Sequence, residues 1–333
     1  MNILLTGGAG YVGAAVAREL WQAGHRLWIV DNFTTGRPET RQVLHGAGLE
    51  WVEGDLGDPG LLNGLLEKVA FDGCVHLAGS ARVDESMAQP ALYYRNNVAN
   101  GLTLLDSLVR ARVRCIVFSS SAAVYGTPQK TPIEEEHPTR PTNCYGETKL
   151  AFERTLHWYR QAGGPDFFAL RYFNAAGASR DGLLGEVHEP ESHLIPNLLS
   201  ASLTGLPVPL FGDDYPTPDG TCVRDYVHVE DLARAHRLAL ELLSRESRGE
   251  ALNLGSGLGF SVKEVIAAVQ GATGVGLNVE VRPRREGDPA TLVASTRKAE
   301  ALLGWTPEFS QLENIVKTAW AWHRRKSPSG AAP

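Results

Sequence analysis

The sequence has no surplus of positive charge. Its 32 Lys and Arg are outnumbered by 38 Asp and Glu, a formal charge of -6 over 333 residues. Without a basic excess there is little to hold a nucleic acid, and none is expected as a partner. Cysteine is scarce: Cys74, Cys115, Cys144 and Cys222 are scattered without a CxxC pair. They suggest neither a zinc site nor a disulfide framework and fit a reducing, cytoplasmic setting; no metal is expected. No apolar run approaches the ~18 residues that cross a bilayer, so no membrane association is expected either. Charge is also missing locally, with none between Met1 and Ala17, and Ala15-Val16-Ala17 resembles a cleavage site. A secretory signal would add a basic start and an unbroken apolar core, whereas Gly7, Gly8, Gly10 and Gly13 interrupt this stretch; export is not expected.

What is present reads as a globular α/β protein. The hydrophobic share is 43% and the charged share 21%, both ordinary for a globular chain, while the 35 glycines exceed the usual ~7%. The length suits one large α/β unit or two lobes. Asn2 to Thr6 is a short apolar run that ends in glycines, and Ala14 to Ala23 follows with helix formers. Further strand-like runs lie at Arg26 to Asp31, Leu49 to Val52, Cys74 to Leu77, Cys115 to Ser119 and Phe167 to Tyr172, with helical patterns between them. In one of these Val98, Leu102, Leu105 and Val109 recur at helical spacing, which places all four on one face. Alternation of this kind implies a doubly wound parallel sheet covered on both sides. After about Ala175 the texture changes to Pro/Gly/Asp stretches and shorter helices at His228 to Leu243, Ser261 to Gln270 and Leu312 to His323. The expected division is residues 1–174 as a nucleotide-binding domain and 175–325 mainly as a smaller α/β substrate domain, some segments returning to the first. Residues 326–333 read as a tail.

Thr6-Gly-Gly-Ala-Gly-Tyr-Val-Gly13 satisfies GxGxxG between a strand and a helix. There glycines permit a sharp turn and a close approach to a pyrophosphate, and free helix N–H groups face its charge. Asp31, 18 residues beyond Gly13 at the end of the second strand, is placed to accept hydrogen bonds from an adenosine ribose and would repel a 2′-phosphate, which favours NAD over NADP. Asp55, after the third strand, is a candidate adenine contact. Tyr145-Gly-Glu-Thr-Lys149 then opens a helical pattern, and the i, i+4 spacing puts phenol and ammonium on one face. An adjacent cation favours the phenolate, so Tyr145 is a candidate base for a substrate hydroxyl. Ser119-Ser-Ser121, ending the fifth strand, supplies a hydroxyl that could bridge a sugar oxygen and the tyrosine.

Together, TGGAGYVG, FSSSAAVYG (Phe118 to Gly126) and YGETK resemble the extended short-chain dehydrogenase/reductase family. Arg171-Tyr-Phe-Asn174, Phe211 to Thr221, Arg224-Asp-Tyr-Val-His228, Asn253-Leu-Gly255 and Arg284-Arg-Glu-Gly-Asp288 narrow the resemblance to its UDP-sugar 4-epimerase branch, from Asn2 to about His323. The resemblance implies a Rossmann-type N-terminal domain, tightly held NAD and interconversion of UDP-galactose and UDP-glucose. It makes Tyr145 the catalytic base, with Lys149 orienting the nicotinamide ribose and lowering the tyrosine pKa, and Ser121 holding the 4-oxygen. For NAD it marks Gly7, Gly10, Tyr11, Val12, Gly13, Asp31, Asn32, Asp55, Leu56, Leu77, Ala78, Gly79, Asn96, Ser119 and Phe173, with Tyr145 and Lys149. For the UDP-sugar it marks Asn174, His193, Leu194, Leu210, Phe211, Arg224, Tyr226, Arg285 and Asp288, with Ser121 and Tyr145. It also implies a homodimer through the helices beginning near Tyr93 and Tyr145.

Three positions depart from the family's pattern. Ala81, beside Arg82, stands where some members carry a lysine; His193 stands where others carry an asparagine. Leu292, at the position that sets room for an N-acetyl group, is smaller than tyrosine and larger than cysteine or serine. The substrate therefore stays open among UDP-hexoses, their N-acetylated forms, UDP-uronic acids and UDP-pentoses. Ala122-Ala123 after the serines argues against a dehydratase, which needs an acidic pair there. A non-catalytic NAD sensor would not need tyrosine, lysine and serine together.

Overall fold

In a computed structural model, which describes residues 1–285 and 287–326, seven parallel strands form the central sheet. Their order across the sheet is Gly249–Leu254, Asp166–Tyr172, Cys115–Ser121, Gly73–His76, Asn2–Thr6, Arg26–Asp31 and Leu49–Glu53. The expected tail from residue 327 onward lies outside the described residues. The interior strands are apolar almost without interruption, Cys115–Ser121 being buried at every position but the last, as a sheet covered on both faces requires. Strand order reverses between Asn2–Thr6 and Gly73–His76, which pair in register with Thr6 opposite His76. That reversal opens the crevice at the strands' C-terminal ends where doubly wound sheets bind ligands.

One face of the sheet is covered by the helices Tyr11–Gln22 and Val229–Leu243, whose Val16, Leu20, Leu232 and Leu240 join the core beneath them. The other face is covered by Asn100–Arg110 and Cys144–Gln161, through Leu104, Leu105, Leu108, Phe152 and Leu156. On Asn100–Arg110 the apolar positions divide. Leu105 is buried, but Leu102 and Val109 are 36% and 42% exposed. Two apolar stripes run along this helix, and the one spaced i, i+3, i+4, i+7 (Gly101, Leu104, Leu105, Leu108) is buried, leaving the other outside.

The second half of the chain contributes in two places. Val229–Leu243 and Gly249–Leu254 complete the large sheet and its cover, while Leu198, Val265, Ile266, Ile315 and Val316 form a separate core among the later helices. Short two- and three-stranded sheets beside that core place Arg224, Phe211 and Leu292.

Candidate active site

The first strand runs into the glycine loop, and the helix Tyr11–Gln22 begins directly after Gly10, three residues earlier than its composition suggests. Gly7 has a φ of +76°, and a Cβ on it would lie 2.5 Å from the Ala78 nitrogen, so only glycine fits between the first and fourth strands. A Cβ on Gly13 would lie 2.0 Å from the Gly7 oxygen. Gly10 differs: its Cβ would meet nothing closer than that oxygen, at 3.5 Å. The loop therefore presents an open cradle at Gly10, and the helix behind it has no acidic residue in its first turn and no side-chain cap. Exposed N–H groups and a positive helix end suit a pyrophosphate.

Asp31 is buried and accepts hydrogen bonds from the Ala9 and Phe33 N–H groups, at 2.8 and 2.9 Å. Burial pushes its pKa up, against these two bonds. Asp55 accepts from Asn32 at 2.7 Å, Asn100 at 3.1 Å and the Gly57 N–H at 2.7 Å, so these residues share one rim, with Leu56 buried beneath. Past the fourth strand Leu77, Ala78 and Gly79 follow the glycine loop. Asn96 donates to the Ser80 hydroxyl at 2.9 Å. Tyr11 donates to the Gly177 carbonyl at 2.7 Å, and Val12 packs on the core. The open cradle, the carboxylate on the second strand and this rim together fit a dinucleotide.

The helix Cys144–Gln161 is capped by Asn143, whose side chain accepts the Gly146 N–H at 2.8 Å. Its first turns carry Tyr145 and Lys149 to the ends of the strands. Lys149 is buried and donates to the Ser119 carbonyl at 2.9 Å, with its Nζ 5.8 Å from the centre of the Tyr145 ring. Burial draws its pKa down to about 8, opposed by the Glu153 charge. Tyr145 differs from expectation: burial raises its pKa, and the lowering influence is a hydrogen bond with Ser121, not the ammonium. The i, i+4 spacing brings the groups together, yet the dry setting outweighs the attraction in this state. Ser119 is not free either, since its hydroxyl bonds the Tyr172 phenol.

Several supporting residues escaped the sequence reading. Ser86 accepts the Tyr145 N–H at 3.1 Å. Asn97 ties Ser80 to Thr148, with bonds of 2.8 and 3.0 Å. Buried Glu153 pairs with Arg171 at 2.6 Å and also receives the Ser120 hydroxyl. Arg171, Ser120 and Thr148 lie within the motifs, but their partners Glu153 and Asn97 carry no motif and come from distant parts of the chain.

The remaining residues marked for the UDP-sugar lie in the second half of the chain. Phe173 is buried, and the Asn174 side chain donates to the Asp225 carbonyl at 2.8 Å. Arg224 and Asp288 form an ion pair with each other, and Leu292 lies beside Arg224 in register. The Arg285 guanidinium stacks 4.0 Å from the centre of the Phe211 ring. Leu210 and Tyr226 are buried. His193 stands at the N-terminus of the helix Leu194–Thr204 and is engaged by Glu186. Arg82 pairs with Asp84 at 2.6 Å.

A glycine cradle, a buried carboxylate at the end of the second strand and a Ser–Tyr–Lys set at the switch point define a dinucleotide-dependent enzyme. Residues 3–255 match the NAD dependent epimerase/dehydratase family, and the chain belongs to that family. It is 47% identical over 328 residues to a UDP-glucose 4-epimerase of Halalkalibacterium halodurans, covering 97% of this chain and 96% of that relative. It is similar to the crystal structure of UDP-glucose 4-epimerase from Brucella ovis in complex with NAD, with a TM-score of 0.92 and 44% identity over 96% of this chain and 97% of that one. The Bifidobacterium longum enzyme in complex with NAD+ and UDP superposes with a TM-score of 0.91 at 38% identity, covering 99% of this chain and 100% of that one.

Proposed function

We propose that the protein is an NAD-dependent 4-epimerase that interconverts UDP-galactose and UDP-glucose through a 4-keto intermediate. The observation that carries this reading is buried Lys149 donating to the Ser119 carbonyl at 2.9 Å at the strand end, with its Nζ 5.8 Å from the centre of the Tyr145 ring. NAD, when bound, supplies reversible hydride acceptance at the sugar C4. The loop of Gly7, Gly10 and Gly13 holds its pyrophosphate, Asp31 its adenosine ribose, and Lys149 its nicotinamide ribose.

Tyr145 takes the proton of the sugar 4-hydroxyl onto its phenolic oxygen and returns it to the same oxygen once the 4-keto sugar has turned its other face, while Ser121 hydrogen-bonds that oxygen. An added positive charge near this buried phenol lowers its pKa, so the base is most effective in the loaded enzyme. Inversion requires the sugar to present both faces while the nucleotide stays gripped. Arg224 and Arg285 suit a diphosphate through charge-assisted bonds, with Arg224 exchanging Asp288 for the ligand. Asp288 is then free for a ribose hydroxyl, and Asn174, His193, Leu194, Leu210, Phe211 and Tyr226 complete the pocket. A Tyr145→Phe enzyme is expected to keep NAD and UDP-sugar binding while losing about 10²–10⁴-fold in turnover; near-normal turnover would remove Tyr145 from this role.

We further propose a cytoplasmic homodimer, in keeping with four unpaired cysteines. Met87, Tyr94, Leu102, Val109 and Trp158 are exposed at 61, 45, 36, 42 and 70%, an apolar surface on the helices around Tyr93 and Tyr145 that a second copy would cover. A monomeric mass by light scattering would contradict this.

A further inference from the structure

Between Gly185 and the helix Leu194–Thr204 the chain carries Glu-x-His-x-x-Glu-x-His, that is Glu186, His188, Glu191 and His193. Their ligand atoms all lie within 4.8 Å of one another. Glu186 is buried, with its side chain 5% exposed. His188 Nδ1 is 3.4 Å from Glu186 Oε1 and 3.4 Å from Glu191 Oε1, yet it is shielded from solvent and makes no hydrogen bond with either. His193 Nδ1 closes on the same Glu186 oxygen, and the two imidazole rings meet edge to face with centres 5.0 Å apart.

A nitrogen 3.4 Å from each of two carboxylates is held between them by charge, either the ring's own proton or a shared central ion. The two 3.4 Å separations match the roughly 3.3–3.4 Å edge of a tetrahedron whose bonds are the 2.0–2.1 Å that zinc makes to imidazole nitrogen and carboxylate oxygen, and the shorter His193–Glu186 contact would open on binding the ion. Two nitrogen and two oxygen donors favour a first-row transition ion over calcium or magnesium, which prefer all-oxygen shells. We propose that Glu186, His188, Glu191 and His193 form a binding site for a divalent transition ion, with zinc its natural occupant. Four protein donors leave no open position, the mark of a structural site, and His193 would meet the ion through Nδ1, on the Glu186 side, leaving Nε2 for the UDP-sugar pocket. The ion would fix the segment leading into the helix Leu194–Thr204 and lie beside Tyr11, whose phenol feels the charges of Glu186 and Glu191. Cysteine spacing, the plainest metal signal in a sequence, is silent at such a site.

The test uses tag-free, full-length protein stripped with a chelator and reloaded with Zn²⁺ or Co²⁺ alone. Expected are about one ion per chain by elemental analysis and the intense visible bands of four-coordinate Co²⁺. His188→Ala and Glu191→Ala should each weaken binding at least about tenfold, since loss of an outer-shell partner alone costs about 10–100-fold. Failure of the wild-type protein to retain either ion, or an octahedral Co²⁺ spectrum, would overturn the site. So would a folded His188→Ala protein with wild-type affinity. None of these readouts depends on turnover, so the metal site and the proposed epimerase activity can fail separately.

Discussion

Replacing Glu153 by glutamine tests how the catalytic helix is held. Glu153 stands one turn after Lys149 and accepts three contacts from Arg171, at 3.0, 3.2 and 2.6 Å, as well as the Ser120 hydroxyl. Both side chains are more than nine-tenths buried, at 7% and 8% exposure. Arg171 lies on the strand Asp166–Tyr172 and also donates to the Tyr125 phenol at 3.0 Å and the Glu135 carbonyl at 3.2 Å. Glutamine keeps one acceptor but leaves the guanidinium charge uncompensated in a dry site. Breaking such a pair costs about 3–5 kcal/mol, and the lower end applies where one hydrogen bond survives. With an unfolding entropy of about 2.1 cal/mol/K per residue, a loss of ~3 kcal/mol lowers the melting midpoint by roughly 4 °C. Urea and thermal unfolding followed by circular dichroism would measure both. Because the pair positions Tyr145 and Lys149 rather than the nucleotide, kcat should fall further than KM rises. Replacing both partners, by Glu153→Leu with Arg171→Met, should cost less than Glu153→Leu alone. A Glu153→Gln protein within ~0.5 kcal/mol of wild type, or a double variant worse than the sum of the singles, would refute the reasoning.

The glycine loop predicts a contrast. Gly10→Ala should fold with near-native stability and lose bound NAD, because its Cβ enters the cradle. Gly13→Ala should lose about 3 kcal/mol or more, because its Cβ overlaps the Gly7 carbonyl; dye-monitored melting and cofactor content would separate the two. Stability should also fall in mild acid. Burial, aided by the Lys149 charge, draws the pKa of His76 down to about 3, and burial draws that of His236 down to about 4. Both rings are neutral in the folded chain and take up protons on unfolding below ~6.5, so their contribution is full above that pH and is lost as pH falls through it. Each loses about 2 kcal/mol between pH 7 and 5, offset by ~1 kcal/mol from Asp225, whose carboxyl burial pushes up to about 6. A flat pH dependence of urea midpoints over this range would count against it. Finally, Arg224→Met should raise KM for the UDP-sugar by about 10–100-fold, from loss of a charge-assisted bond of ~1.5–3 kcal/mol, with a smaller effect on kcat.

Much of the fold was legible because its signals are local. The strands of the central sheet are short apolar runs, and the glycines that end the first strand are required by contacts within a few residues of the turn and across to Ala78. Tyr145 and Lys149 were legible for the same reason, lying one turn apart on one helix. The stripe containing Leu102 and Val109 was legible as an apolar face, but periodicity does not say whether the sheet or a partner covers it. Long-range electrostatics were illegible. Burial is the largest influence on Tyr145, Arg171 finds its partner in Glu153 outside any motif, and Arg224 meets Asp288 from 64 positions away. The cluster from Glu186 to His193 is local in sequence, yet its convergence depends on how that segment folds before the helix.

The central claim is epimerisation without net redox change, and the direct measurement is incubation of the purified protein with UDP-galactose in the absence of added cofactor. The account predicts that UDP-glucose forms until the two sugars reach a fixed ratio, that the same ratio is reached from UDP-glucose, and that Tyr145→Phe abolishes the exchange. Accumulation of a 4-keto sugar in proportion to consumed NAD, or no conversion by protein shown to hold NAD, would contradict it.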